Sequence, residues 1–218
     1  MEAFSDDLEG LKKKLASTES TLKVKAEALS KKRHGVIPKF EKTLAAMAVD
    51  LGMPNVQLKA VLKKAATFHS TGNDDIEFLF TANPKMPLVD ISKAASGGEL
   101  SRIMLCLKSM VATNRQIPVL IFDEIDTGLS GEIAHKMSLM LQKLAEESQI
   151  IVITHLPQIA ASGNDHMLVY KTSGKDEAYT LLKKLSSEER IDELAKMLSG
   201  KEVTAAAVTN AKVLLGIK

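Results

Sequence analysis

Val119-Leu120-Ile121-Phe122-Asp123-Glu124 is an apolar run closed by two carboxylates. The run is too continuously apolar for a half-exposed strand, so it reads as one of the covered strands of a parallel sheet. Residues 150–153, Ile-Ile-Val-Ile, repeat the pattern and end on Thr154-His155. Helix-like sequence separates the two runs, which is the order expected of a parallel α/β unit. Open sheets of this class meet their ligands at the carboxyl ends of the strands. Asp123, Glu124 and His155 therefore fall where a bound molecule would be. By residue type alone, an acidic pair after a strand also suits a solvated loop start, and a lone histidine there also suits a structural role.

Upstream, Ser96-Gly97-Gly98-Glu99-Leu100-Ser101-Arg102 opens a long helix. Ser96 and Glu99 have the spacing of a capping box, and the two glycines let a backbone approach closely. The free amides and positive dipole end of such a start hold anions, with the Ser96 hydroxyl as a further donor. Taken alone, the same spacing is an ordinary cap. Between the two apolar runs lies Ile125-Asp126-Thr127-Gly128-Leu129-Ser130-Gly131, where Asp126 reads as a turn residue ahead of a Ser130 cap.

Nearer the N-terminus, Leu8, Leu15, Leu22 and Leu29 recur every seven residues, with Leu11 in the companion position. This predicts the end of a coiled coil, a solvated amphipathic helix being the alternative. The pattern breaks at His34-Gly35, and a second helix is expected from Ile37 through Phe40, Leu44, Ala48 and Leu51, stopped by Gly52 and Pro54. Alternating Val56, Leu58, Ala60 and Leu62, a turn at residues 71–74, and residues 76–81 predict two antiparallel strands. Past the second apolar run, strands are expected at residues 167–170 and 179–184. Ser186 and Ser187, followed by Glu188 and Glu189, open a further helix through Leu194 and Leu198, and residues 203–215 supply the last.

Of the 218 residues, 45% are hydrophobic, enough for one substantial core and a smaller arm or subdomain. Aromatic residues are only 4%, which argues against nucleic-acid binding by base stacking, and a net charge of +2 identifies no polyanionic partner. The single cysteine, Cys106, sits among Met104, Leu105 and Leu107 and reads as a core residue. No apolar run approaches the ~18 residues of a membrane span, so a cytoplasmic protein without a membrane partner is expected.

In their order, these motifs resemble the C-terminal half of an ABC-type ATPase head. Residues 96–102 resemble its signature motif, 119–124 its Walker B strand, 125–131 its D-loop, and His155 its switch histidine. The resemblance implies ATP and Mg2+ as cofactors. Asp123 would hold the Mg2+ shell through water, Glu124 would orient or deprotonate the attacking water, and His155 would contact the γ-phosphate. Ser96, Gly97, Gly98 and Glu99 would meet a nucleotide whose P-loop belongs to a second head protomer, and Asp126 would lie across the same head-to-head dimer.

With the leucine repeat ahead of it, the arrangement is similar to SMC-like heads split by a long coiled coil. Within that group, Glu77-Phe78-Leu79-Phe80-Thr81-Ala82-Asn83-Pro84, residues 95–108, residues 122–131 and Thr154-His155-Leu156-Pro157-Gln158-Ile159-Ala160-Ala161 resemble the RecN family of bacterial DNA-repair ATPases. This implies recombinational repair of double-strand breaks, DNA as a partner, a nucleoid association, and an N-terminal half of the same head carrying the Walker A loop. The sequence itself has no G-x-x-x-x-G-K-[ST] run; Gly174-Lys175 and Gly200-Lys201 lack the first glycine and precede acids. The expectation is an α/β C-terminal head lobe over residues 35–218, with a parallel sheet, small antiparallel strands and a coiled-coil arm over residues 1–34. Alone, it should not turn over ATP. The alternatives are the lobe of another SMC-like head, or a non-catalytic DNA-binding or scaffold lobe.

Overall fold

The computed structural model describes every residue except Met1, Ala95, Glu124, Thr127, Gly128, Ser130, residues 174–177, Lys201 and Lys218; of residues 2–6, Ala94, Ser173 and Ala178 it describes the backbone. The chain forms two compact units, residues 1–47 with 55–95, and residues 48–54 with 96–218.

Helix α1 (Glu2–Asp50) supplies most of the first unit's length. The break expected at His34-Gly35 does not occur: α1 is one continuous helix with Pro38 inside it. A glycine and a proline cost a helix about 1 and 3 kcal/mol, and contacts on both sides of them hold this one. Before the weak stretch, Arg33 donates to Asp74 Oδ2 at 2.8 Å and to the Thr71 carbonyl at 2.6 Å. After it, Glu41 accepts from the Ala60 amide at 2.8 Å and from Lys59 Nζ at 3.0 Å, and the Phe40 and Phe78 rings lie 6.0 Å apart. These partners belong to the hairpin of β1 (Gln57–His69) and β2 (Gly72–Thr81), antiparallel as expected, with Leu58 opposite Phe80. Gly72 turns the hairpin at φ 109°, and a Cβ there would stand 3.1 Å from Leu29 Cδ2. Short β3 (Val89–Asp90) pairs with β2, and α2 (Ile91–Ala94) follows it. Leu8, Leu11, Leu15 and Leu22 are exposed along α1.

In the second unit, α3 (Gly97–Arg115) leads into β4 (Val119–Asp123), α4 (Gly131–Leu144) and β5 (Gln149–Ile153). The two strands are parallel, in register from Val119 opposite Gln149 to Asp123 opposite Ile153, with α4 as the crossover. One face is covered: Phe122 is fully buried, as are Ile103, Leu105 and Cys106 of α3 and Met137 of α4. Lys108 of α3 stands 5.3 Å from the Phe122 ring centroid. Burial also pushes the Cys106 thiol up to about 12, as befits an inert core residue. The opposite face is different, for Val119, Ile121, Ile151 and Ile153 are all exposed.

Helix α5 (Pro157–Ser162) precedes the antiparallel pair β6 (Met167–Ser173) and β7 (Ala178–Lys184), both expected. The helix expected after Ser186 and Ser187 is α6 (Ser187–Ser199), closed by a capping box of Ser186 with Glu189, and Thr204 caps α7 (Ala205–Leu214). Ala207 and Ala211 let α7 press on Leu194 and Ala195, with Ala160 and Ala161 of α5 packed against them. No helix among the described residues is long and apolar enough to cross a membrane.

Candidate functional site

The start of α3 folds as its residue types dictate. Ser96, in extended backbone, accepts from the Glu99 amide at 3.3 Å, while the Glu99 carboxylate accepts from the Ser96 amide at 2.9 Å. The amides of Gly97 and Gly98 remain at the open end of the helix, where no intrahelical acceptor exists. Ser96 and Gly97 are exposed, and a Cβ built on Gly97 meets nothing within 4 Å. Gly97 has no left-handed φ either. Neither backbone conformation nor contacts among the described residues require a glycine there. Glu99 faces its own cap, so its charge partly offsets the helix dipole at this end.

A second group gathers at the carboxyl ends of β4 and β5. Asp123 is the last residue of β4, exposed and opposite Ile153. The parallel register puts Thr154 and His155 just beyond it on the neighbouring strand's exit. Glu124 lies outside the described residues, as do Thr127, Gly128 and Ser130 of the intervening loop.

Asp126 turns inward. Its side chain has no exposed surface, and Oδ2 accepts from the Thr154 hydroxyl and from the His155 amide at 3.2 Å. Oδ1 stands 3.5 Å from His155 Nδ1. The imidazole itself is 69% exposed. Thr154 Oγ1 in turn accepts from the Leu156 amide at 3.0 Å, a hydroxyl-closed turn that leads into α5. The carboxylate thus ties the exit of one strand to the loop after the other.

Thr154 carries more of this geometry than the sequence reading gave it. A threonine two residues ahead of the amide it can cap is a visible local signal, but its bond to Asp126 spans 28 residues and follows only from the strand order. Among the described residues no group of three His, Cys, Asp or Glu side chains could hold a metal by itself. Asp123 is an exposed hard-oxygen donor at a strand end, which fits a Mg2+ completed by water and phosphate rather than by a protein cage.

No protein-family model matches the chain. Curated relatives do. The chain is 43% identical over 190 residues to the DNA repair protein RecN of Rickettsia typhi, across 87% of this chain and 34% of that protein. To RecN of Vibrio cholerae it is 38% identical over 191 residues, with the same coverage. It therefore spans about a third of the length of these relatives. Among solved structures, an Smc head domain with a coiled coil and joint derived from Pyrococcus yayanosii is similar at TM-score 0.60 and 21% identity, across 86% of this chain and 34% of that one. That likeness establishes an SMC-head type of fold. With the sequence likeness and the motifs at the ends of β4 and β5, the chain belongs to the RecN family.

Proposed function

We propose that this chain is the C-terminal lobe of a RecN-type ATPase head that works in recombinational repair of DNA double-strand breaks. The observation that carries the reading is the pair of parallel strands β4 and β5, which end side by side on Asp123 and Ile153 with His155 two residues beyond. In this reading the lobe completes its ATP sites with an N-terminal half of the same head and with a second head protomer. Residues 1–34 form the end of a coiled-coil arm, and the protein acts on DNA in the cytoplasm.

The bare face of the β4–β5 pair supports this. Parallel sheets are covered on both faces in α/β folds, and Val119, Ile121, Ile151 and Ile153 are exposed. An N-terminal half carrying the P-loop would cover them. Bound ATP with Mg2+ supplies the phosphoryl group and the charge neutralisation. Asp123 offers the oxygen for the Mg2+ hydration shell, and Glu124 orients or deprotonates the attacking water. His155 contacts the γ-phosphate. Ser96 and the amides of Gly97 and Gly98 bind the terminal phosphate of a nucleotide held by the other protomer. Open space at Gly97 suits that close approach.

The test combines this chain with the remaining portion of a RecN protein and follows Mg-dependent ATP hydrolysis. The combination should hydrolyse ATP, and Glu124→Gln should slow it by ~10²- to 10⁴-fold while nucleotide stays bound. Unchanged hydrolysis in Glu124→Gln would remove the assignment.

A further inference from the structure

Asp126 is a buried carboxylate that the phosphoryl-transfer reading leaves without a task inside its own chain. We propose that Asp126 is the positioning residue of His155, fixing its ring orientation and holding the imidazole proton on Nδ1 so that Nε2 faces outward. The inference rests on the reading of His155 as the phosphate-facing residue. It adds an intrachain role to the contact across the dimer that the family resemblance implies.

The geometry separates the two carboxylate oxygens. Oδ2 is saturated by the Thr154 hydroxyl and the His155 backbone amide. These bonds fix the main chain at the exit of β5. Oδ1 is buried, has no hydrogen-bond partner among the described residues, and stands 3.5 Å from His155 Nδ1. A buried acceptor without a donor is costly, and the group facing it is a ring nitrogen that can carry a proton. A small movement of the ring closes that bond. The neutral imidazole then keeps its proton on Nδ1, as histidines oriented by a carboxylate do in catalytic and metal sites. Nε2, on the exposed side, is left to accept a hydrogen bond or a proton. The Asp126 carbonyl also accepts from the Leu129 amide at 3.3 Å, so the residue that orients His155 is anchored in the loop after β4. Movement of that loop would thereby reach the imidazole directly.

Substitution by asparagine makes a sharp prediction. Two donors converge on the Oδ2 position, so the asparagine carbonyl must take it, and the amide NH2 must take the Oδ1 position. That NH2 would donate to Nδ1, which must then be unprotonated. Asp126→Asn therefore inverts the tautomer rather than merely releasing it.

The experiment is ¹⁵N correlation spectroscopy of the histidine rings in this chain, recorded at rising pH until the ring nitrogen shifts no longer change. The His155 signals are assigned by their loss in His155→Gln. The wild type should show His155 mainly as the Nδ1–H tautomer, and Asp126→Asn mainly as Nε2–H, with His34, His69, His135 and His166 unchanged. A wild-type His155 that is mainly Nε2–H overturns the proposal. So does an Asp126→Asn chain that keeps its amide dispersion and its Nδ1–H tautomer. If Asp126→Asn fails to fold, the wild-type tautomer decides alone. The measurement needs no nucleotide, so failure of the ATPase reading would leave it unaffected, and the reverse also holds.

Discussion

The Asp126 carboxylate accepts from the backbone amide of His155 at 3.2 Å, joining the loop after β4 to the exit of β5 inside the second unit. Thr154 shares that carboxylate, so removing its hydroxyl leaves a buried charge short of a donor. Thr154→Val should lower the stability of the chain by about 1.5–3 kcal/mol, the range for hydrogen bonds to charged groups. Thr154→Ser should recover most of it. Urea unfolding of the three chains decides, and equal midpoints would show that the bond contributes nothing.

The first unit should be sensitive to acid at Asp74. The hydrogen bond from the Ser30 hydroxyl, then that from the Arg33 guanidinium, hold its carboxyl below the usual 3.8. A carboxyl depressed in the folded state stabilises above its unfolded pKa, and that stabilisation is lost as pH falls through the folded value. Hydrogen exchange at the Gly72–Asp74 end of the hairpin should therefore be slower in the wild type than in Asp74→Asn at neutral pH. The difference should shrink as pH drops below about 3.8. A difference that stays constant across that window would assign the hairpin's protection to other contacts.

Gly52 ends α1 at φ 79°, and a Cβ there would stand 2.9 Å from Ile133 Cδ1. Gly52→Ala combines left-handed strain of about 1–2 kcal/mol with that clash. Thermal unfolding should show a loss of at least that size, whereas Gly10→Ala, which meets nothing within 4 Å in mid-helix, should be neutral or stabilising.

At the α3 cap, Ser96→Ala should cost the chain about 0.5–2 kcal/mol. Ser96→Arg, in the assembled head, should in addition block ATP-dependent association of two heads. Mixing Ser96→Arg heads with heads whose P-loop is disabled should restore part of the hydrolysis, because one composite site then carries neither lesion. No recovery in confirmed mixed dimers would confine Ser96 to its own helix.

What the sequence made legible was local. The capping box of Ser96 with Glu99, the two apolar strands and the β1–β2 hairpin follow from residues within a few positions of one another. The continuity of α1 was hidden because Gly35 and Pro38 are real local penalties. What overrides them, Arg33 on Asp74 and Glu41 on the Ala60 amide, depends on a hairpin that folds back from later in the chain. Asp126 was legible as a loop acid but not as the partner of Thr154, since that pairing needs β4 and β5 to be neighbours in parallel register.

Mg-dependent ATP hydrolysis by this chain, measured alone and again with the remaining portion of a RecN protein, decides whether the lobe works only as part of a complete head. Positioning and charge neutralisation of the β- and γ-phosphates need a P-loop. The chain alone should show no turnover above background, and hydrolysis should be steady once the remaining RecN portion is added and be abolished by Asp123→Ala. Turnover by the isolated chain, or an assembled head whose hydrolysis is indifferent to Asp123, would contradict it.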